Sequence, residues 1–250
     1  MNARHLRPRT VADLPAPWDT DPFVVNDFHR WPEAEAWGDE RALLVSSAPR
    51  PGVRSVVGVG APEPLADLVT DLPDDQEPLA VMSLTRGAWD LLPGAVTERL
   101  ALPSVAHWDW LWSADQPPRV PREDGVVELH LARDHEEIAD LQSRVLPGTY
   151  FPVDREGARW FGWRDQDLAL RSVAGASGWD RWVHLGSIGT EEAWRGRGLG
   201  AAVTAAVTRL GLCATGRVSL GVYADNARAR ALYTRLGFAV GQHVESRRRA

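Results

Sequence analysis

The sequence predicts a mixed α/β (α+β) protein built from two successive segments. Apolar runs of strand length alternate with amphipathic runs of helix length. A proline-rich stretch, Gln116–Asp124, cannot continue a helix or a strand ladder and divides the chain. A glycine-rich stretch, Arg195–Gly200, separates an apolar run from a helix-like run. We therefore expect a smaller α/β domain over residues 1–118 and a second domain over residues 119–250.

The N-terminal segment contains runs rich in β-branched and apolar residues, which favour strands. The predicted strands are residues 41–47, 54–59, 79–84 and 107–112, and residues 64–72 form a predicted short helix. In the last strand, the two-residue period puts Trp108, Trp110 and Trp112 on one face. This face is either part of a core or the wall of a substrate pocket, where indole rings can hold an organic cation.

The C-terminal segment predicts five strands and three helices. Asp134 and Glu137 have the spacing of a capping box that starts the first helix, and Pro147–Gly148 ends it after Val145. The arginines at 247–249 are expected to form a solvated tail. The predicted strands are residues 126–131, 158–163, 168–174, 182–190 and 218–223, and the later helices are 199–210 and 227–236.

Composition indicates which partners and which cellular compartment to expect. The net charge of −6 disfavours nucleic acid as a partner, and no apolar run has the length of a membrane span. The single cysteine, Cys213, excludes an intrachain disulfide and is typical of a reducing cytoplasm. The seven histidines lack metal-ligand spacing, so no metal site is expected. The polar, arginine-rich first ten residues do not have the pattern of a secretory signal. We expect a cytoplasmic protein that binds neither nucleic acid nor membrane.

The glycine-rich stretch predicts an anion site. Glycines leave backbone N–H groups uncovered at a helix N-terminus, where the helix dipole also favours negative charge. A nucleoside-triphosphate loop requires a lysine, and this chain has none. The dinucleotide spacing of glycines is also absent. Arg195, Gly198 and Gly200 instead match the pattern Gln/Arg-x-x-Gly-x-Gly/Ala.

A second motif follows at the next strand-to-helix junction. It consists of Asn226, Ala229, Leu232, Tyr233 and the pair Gly237-Phe238. Together, the two motifs resemble those of the GNAT superfamily of acyl-CoA N-acyltransferases, over roughly residues 123–245. The resemblance implies a mixed, mostly antiparallel sheet flanked by helices, with acetyl-CoA as cosubstrate.

The resemblance also implies roles for individual residues. The backbone of Ile188 and Thr190 would pair with pantetheine and offer an N–H to the thioester oxygen. Tyr233 would be the general acid that protonates the departing thiolate. The remaining cofactor contacts would come from Arg195, Gly196, Arg197, Gly198, Leu199, Gly200, Asn226 and Ala229.

The function implied is transfer of an acetyl group from acetyl-CoA to a primary amine of a small molecule or a peptide amino terminus. The alternative is a non-catalytic acyl-CoA-binding or sensor module, and a longer acyl donor also stays open. An alkyl ammonium must lose a proton before it attacks. The sequence leaves four candidates for that base, Glu191, Glu192, His184 and Asp180.

The N-terminal segment has two interpretations. Val56–Gly60 followed by Pro62–Leu68 has the order of a strand and a cofactor helix, which predicts a degenerate GNAT-like copy. The other interpretation is an unrelated partner domain. No Arg-x-x-Gly-x-Gly occurs there, and Glu63 and Asp67 put negative charge where phosphate would sit. We expect the segment to be non-catalytic on either interpretation.

Overall fold

The computed structural model describes residues 4–31, 33–50, 53–72 and 79–249, which divide into two units by their internal contacts. The first unit comprises the described residues up to Trp110, together with Tyr223–Asp225 and the described residues from Gly241 on. The second unit comprises Leu111–Val222 and Asn226–Val240. The first three residues of the polar N-terminal stretch lie outside the described residues. Two domains that meet at residue 118 stay a prediction.

The described residues form strands and helices, joined by loops and short 3-10 turns. In chain order these are β1 Arg4–Leu6, α1 Pro22–Asp27, β2 Glu35–Gly38, β3 Ala42–Arg50, β4 Val53–Gly60, α2 Pro62–Thr70, β5 Leu79–Thr85, α3 Gly94–Leu100, β6 Ser104–Ser113, β7 Val126–Leu129, α4 Leu131–Val145, β8 Arg159–Arg164, β9 Leu170–Ser177, β10 Val183–Thr190, α5 Leu199–Thr215, β11 Val218–Tyr223, α6 Ala227–Arg235 and β12 Ala239–Arg248.

In the first unit, β1, β2, β3 and β4 pair as antiparallel neighbours. The chain then crosses through α2 and returns as β5, which runs parallel to β4. Helix α2 buries Leu65 and Val69 in a core that also contains Leu44 and Leu84 of the strands. The far edge of β5 pairs with β12 in antiparallel register.

The second unit repeats this order. Strands β7, β8, β9 and β10 are antiparallel neighbours, and β11 runs parallel to β10 after the crossover through α5. A helix follows the first strand in each repeat, α1 in one and α4 in the other, and another follows the parallel strand. Both repeats therefore have the mixed, mostly antiparallel sheet that was expected. The repetition is the arrangement that a degenerate N-terminal copy predicts.

Helices pack on both faces of the second sheet. On one face, Val203 and Val207 of α5 share a buried cluster with Leu185 and Leu220. On the other face, α4 buries Ile138 and Leu141 in a cluster with Phe151, Trp160 and neighbouring apolar residues. The helix α5 thus begins directly beside the end of β10, where the glycine-rich stretch lies.

Two local predictions were wrong. Helix α4 begins at Leu131, with His130 as its N-cap. Asp134 therefore lies within the helix and is not its N-cap, and its carboxylate accepts the backbone N–H of His130. The C-terminal arginines are not a free tail, since Arg247 and Arg248 lie in β12 and pair with β5. A contact with a strand more than 150 residues earlier leaves no local sequence signal.

One strand boundary differs from its prediction, and one of the tryptophans takes the core position that was the first of its two interpretations. Strand β9 begins at Leu170, two residues later than predicted, because Leu168 has a φ of 63° in the turn that precedes it. Trp110 is fully buried, with its ring 5.5 Å from that of Phe23 in an edge-on arrangement. This tryptophan therefore occupies a core position.

Gly211 sets the distance between α5 and its sheet. A Cβ added there would lie 2.7 Å from Val218 Cγ2 and 3.0 Å from Val183 Cβ. We expect Gly211→Val to lower the free energy of unfolding by about 1–3 kcal/mol, because the helix must move off the sheet. Urea denaturation measures the change. Gly94→Ala is the control, since a Cβ on this helical glycine meets nothing within 4 Å, and its stability should change by no more than about 0.5 kcal/mol. Equal stability of the two variants would contradict this account of α5 packing.

Candidate functional site

The central feature of the second unit is the separation of two parallel strands. The paired positions of β10 and β11 run from Val183 to Leu185 and from Val218 to Leu220. Strand β10 continues for five more residues, to Thr190, beyond this pairing. The backbone of this last part of β10 therefore faces a gap in which it can pair with another extended group.

A bulge at Ser187 accompanies the separation. The register of β10 against β9 shifts between Gly186 and Gly189, and Ser187 has a φ of 49°, in the left-handed region. The buried Ser187 hydroxyl donates to the Phe151 carbonyl at 2.9 Å, and Gln142 Nε2 donates to Ser187 Oγ at 2.8 Å. A bulge of this kind bends the strand and redirects the residues that follow. These hydrogen bonds hold the bend in place.

The glycine-rich loop ends at the N-terminus of α5. Gly196 and Gly198 have φ angles of 81° and 84°, which side-chain-bearing residues rarely adopt, and Gly198 is the N-cap of the helix. The first N–H groups of a 17-residue helix follow. Gly200 comes close to β10, because a Cβ there would lie 3.5 Å from Thr190 Oγ1. The loop thus presents backbone donors beside the separated strand.

A cavity of about 500 Å³ joins these elements within the second unit. Ten of the eleven residues predicted to bind the cofactor or to catalyse line it. They are Ile188, Thr190, Arg195, Gly196, Gly198, Leu199, Gly200, Asn226, Ala229 and Tyr233. The end of α4 supplies an apolar wall, where Val145 and Leu146 lie so close to Gly189 that an added Cβ would be 2.6 Å from Val145 Cγ2.

The charged residues in the cavity lining are all cations. Arg195 from the loop and Arg228 and Arg235 from α6 line it, and no aspartate or glutamate occurs among its lining residues in the described part of the chain. Three guanidinium groups and a helix N-terminus together favour a ligand with several negative charges. Arg228 and Arg235 were not among the predicted site residues, although their seven-residue spacing puts them on one helical face.

Arg197 is the predicted cofactor residue outside the lining. Its guanidinium lies over the Trp194 ring at 4.6 Å, and its carbonyl accepts a hydrogen bond from Arg122. Arg171 lies over the same indole at 5.2 Å, so Trp194 is held by two cations. Trp194 itself lines the cavity. Its role was missed because a tryptophan next to a glycine-rich loop has no characteristic spacing.

Asn226 and Tyr233 stand on the helix that covers the cavity. Asn226 is the N-cap of α6, and its side chain accepts the Ala229 N–H at 3.0 Å. Tyr233 is 7% exposed, and its ring packs edge-on against Phe238 with 6.1 Å between the centroids. Burial raises the pKa of the Tyr233 hydroxyl, with the nearby Tyr150 as a further cause. The hydroxyl is therefore protonated at neutral pH and is able to donate a hydrogen bond or a proton.

The four candidate bases have different surroundings. The hydrogen bond from Arg171, together with a second one from Arg144, lowers the pKa of Glu191, so that this carboxylate is a weak base in an ion-pair network. Glu192 is exposed, and Asp180 lies in an exposed turn 3.4 Å from Arg181.

His184 alone among the four is buried, at 5% exposure. Its two ring nitrogens are each 3.0 Å from a hydroxyl, that of Tyr150 on one side and that of Ser219 on the other. The structure therefore separates His184 from the three acidic candidates, which are paired or exposed.

The family follows from the sequence match. Residues 108–238, which contain every lining residue of the cavity, match the model of the acetyltransferase (GNAT) family. The chain belongs to this family. No curated protein matches the sequence. Among solved structures, this GNAT chain is similar in fold to a GCN5-related N-acetyltransferase from Sphaerobacter thermophilus, with 18% identity and a TM-score of 0.57. That match covers 99% of this chain and 95% of the other.

Two further GNAT structures have comparable folds. One is a GNAT-family protein from Novosphingobium aromaticivorans, with 22% identity, a TM-score of 0.51 and coverage of 76% of this chain and 82% of the other. The second is an acetyltransferase from Colwellia psychrerythraea, with 10% identity, a TM-score of 0.52 and coverage of 89% and 88%. At these identities the likeness concerns the fold alone.

The described residues of this GNAT chain contain no helix with the length and apolar character needed to cross a membrane. The same ranges hold no group of three or more histidine, cysteine, aspartate or glutamate side chains arranged to bind a metal ion.

Proposed function

We propose that the protein transfers an acetyl group from acetyl-CoA to a primary amine, either of a small molecule or of a peptide amino terminus. The observation that carries the proposal is one cavity that combines a helix N-terminus, three arginines and the end of β10 that β11 does not pair with. A pyrophosphate matches the first two features and the polar backbone of pantetheine matches the third. Family membership supports acyl transfer in general.

The residues of the cavity fit the parts of acetyl-CoA. The N–H groups at the start of α5 would hold the pyrophosphate, with charge-assisted bonds from Arg195 and its neighbouring arginines. Ile188 and Thr190 would align the thioester, and a backbone N–H there would stabilise the oxygen that becomes negative during transfer. Such a donor contributes about 3 kcal/mol to catalysis. The apolar wall of Val145 and Leu146 lies beside Gly189, between Ile188 and Thr190, where the acyl group would be held.

Tyr233 would supply the proton that the departing thiolate needs. It is the hydroxyl-bearing aromatic side chain among the lining residues, and it is protonated at neutral pH. A non-catalytic acyl-CoA-binding module is the competing function, since binding requires no acid. Release of free thiol from acetyl-CoA in the presence of propylamine, spermidine, tyramine and a short peptide separates the two functions.

The N-terminal repeat is proposed to be non-catalytic. There, β4 joins α2 through Ala61 alone, so that no glycine-rich loop separates strand from helix. The strands also stay paired up to Gly58 and Leu84, and a Cβ on Gly58 would lie 2.7 Å from Leu65 Cδ1. Residence of the protein in the cytoplasm stays a prediction from cysteine usage.

Gly198→Glu tests the phosphate site. The substitution puts a negative side chain at the helix N-terminus, and we expect calorimetry to detect no binding of acetyl-CoA. Gly198→Ala introduces only the strain of the left-handed conformation, about 1–2 kcal/mol. Gly216→Glu is the matched control, since Gly216 caps the other end of α5 with a φ of 72° and open space around it. Wild-type affinity in a folded Gly198→Glu protein would exclude this site.

Tyr233→Phe tests the acid. The ring and its packing on Phe238 are kept, so acetyl-CoA affinity should change little, whereas kcat should fall by about 100-fold or more. Stopped assays of thiol release and calorimetry on the same preparation separate the two effects. Tyr223→Phe, at an exposed tyrosine, is the control and should keep wild-type turnover. Full turnover of Tyr233→Phe would mean that another group protonates the thiolate.

A further inference from the structure

Three side chains of the second unit, those of Tyr150, His184 and Ser219, form a hydrogen-bonded series. Tyr150, 51% exposed, has its hydroxyl 3.0 Å from His184 Nε2, and the ring centroids are 6.3 Å apart. His184 Nδ1 is 3.0 Å from Ser219 Oγ. This hydrogen-bonded series thus connects an accessible hydroxyl to a buried imidazole, a side chain that often serves as a general base.

This hydrogen-bonded series lies where the parallel strands β10 and β11 begin to separate. His184 and Ser219 face each other in the β10–β11 pairing, one position before its last pair, Leu185 and Leu220. Strand β10 then enters the bulge and reaches Ile188, the start of the segment that lines the cavity.

Tyr150 is fixed beside the same bulge from both sides. Thr149 Oγ1 lies 2.8 Å from Ser187 Oγ, and the Phe151 carbonyl accepts from that hydroxyl at 2.9 Å. Tyr150 is also close enough to Tyr233 that, after burial itself, it contributes to the raised pKa of that phenol. Tyr150, the accessible end of the series, is therefore near Tyr233, the lining residue to which we assign the acid role.

We propose that Tyr150 and His184 form a relay that removes the proton from the acceptor amine. The inference rests on the proposed acyl transfer and deepens it by assigning the base that the sequence left open. The ammonium N–H donates its proton to Tyr150 Oη, while the Tyr150 proton moves to His184 Nε2. The neutral amine then forms the amide bond as the carbon–sulfur bond breaks. Tyr233 donates its proton to the departing thiolate, and the surplus proton of the amide nitrogen restores the Tyr233 hydroxyl. His184 holds one proton, which it returns to solvent through Tyr150.

Two hydroxyls described at His184 come from different elements: Tyr150 approaches from the segment after α4 and Ser219 from β11. Tyr150 in turn interacts electrostatically with Tyr233 of α6. The charged pair Asp180 and Arg181 lies in the exposed turn before β10. Tyr150 is thus the hydroxyl through which His184 acts on an amine.

A comparison of two acceptor nucleophiles, propylamine and hydroxylamine, distinguishes a defect in proton removal from a defect in cofactor binding or acyl transfer. At pH 7, only on the order of one part in a thousand of an alkyl amine such as propylamine is neutral, so its reaction needs a base. Hydroxylamine is mostly neutral at that pH and needs none. In His184→Gln, thiol release with propylamine at pH 7 should fall by about 100-fold or more, while the rate with hydroxylamine should stay within about threefold of wild type.

The pH profile provides the second readout. Without the relay, only amine that is already neutral reacts, so kcat/KM of His184→Gln for propylamine should rise about tenfold per pH unit between pH 7 and 9. The wild-type profile should level off at lower pH. Tyr150→Phe should reproduce both effects, because it interrupts the path to His184 without removing the ring.

Matched controls are available on the surface. His135→Gln changes an exposed histidine paired with Asp154 at 2.9 Å, and Tyr223→Phe changes an exposed tyrosine. Both should keep the wild-type profile. The relay is overturned if His184→Gln and Tyr150→Phe keep the wild-type pH profile, or if they lose hydroxylamine activity and acetyl-CoA affinity to the same extent as propylamine activity. A wild-type protein that releases thiol with neither nucleophile would instead contradict acyl transfer itself.

Discussion

The separation of β10 from β11 beyond Leu185 and Leu220 is the constraint on which the site depends. Two parallel strands that stayed paired would use their backbone groups on each other and leave nothing for a ligand. The left-handed Ser187 costs conformational energy, and its buried hydrogen bonds with Gln142 and Phe151 offset that cost. In β10, the base candidate His184, the bulge at Ser187 and the cavity-lining residues Ile188 and Thr190 all lie within five residues of Leu185.

The N-terminal repeat shows what the same order of elements gives without that separation. Its parallel strands keep pairing to Gly58 and Leu84, and its crossover helix starts one residue after the strand ends. Leu65 and Leu84 pack against Gly58 of β4, where an added Cβ would lie 2.7 Å from a Cδ atom of each. We therefore expect that a GNAT-like topology does not by itself create a cofactor site. The length of one connection and the volume of a few side chains decide it.

Electrostatics and stacking shape the glycine-rich loop. Glu191 is paired with Arg144 and Arg171, which do not line the cavity. These ion pairs balance the negative charge of Glu191 near the anion site. The guanidinium groups of Arg171 and Arg197 both lie over the Trp194 ring. Guanidinium groups stack on aromatic faces more readily than ammonium groups because they are planar and weakly hydrated. A chain whose basic residues are all arginine can therefore order this loop and keep its cavity positive.

The sequence by itself determined the features that depend on near neighbours. The left-handed glycines of the loop, the start of α5, strand β11 and the Asn226 cap all follow from residue types within one or two turns. Only the tertiary structure decided the bulge at Ser187, the pairing of β12 with β5 and the meeting of Tyr150 with His184. Those contacts join residues 34 or more positions apart. They depend on strand register and on how helices pack against the sheet, which no local pattern specifies.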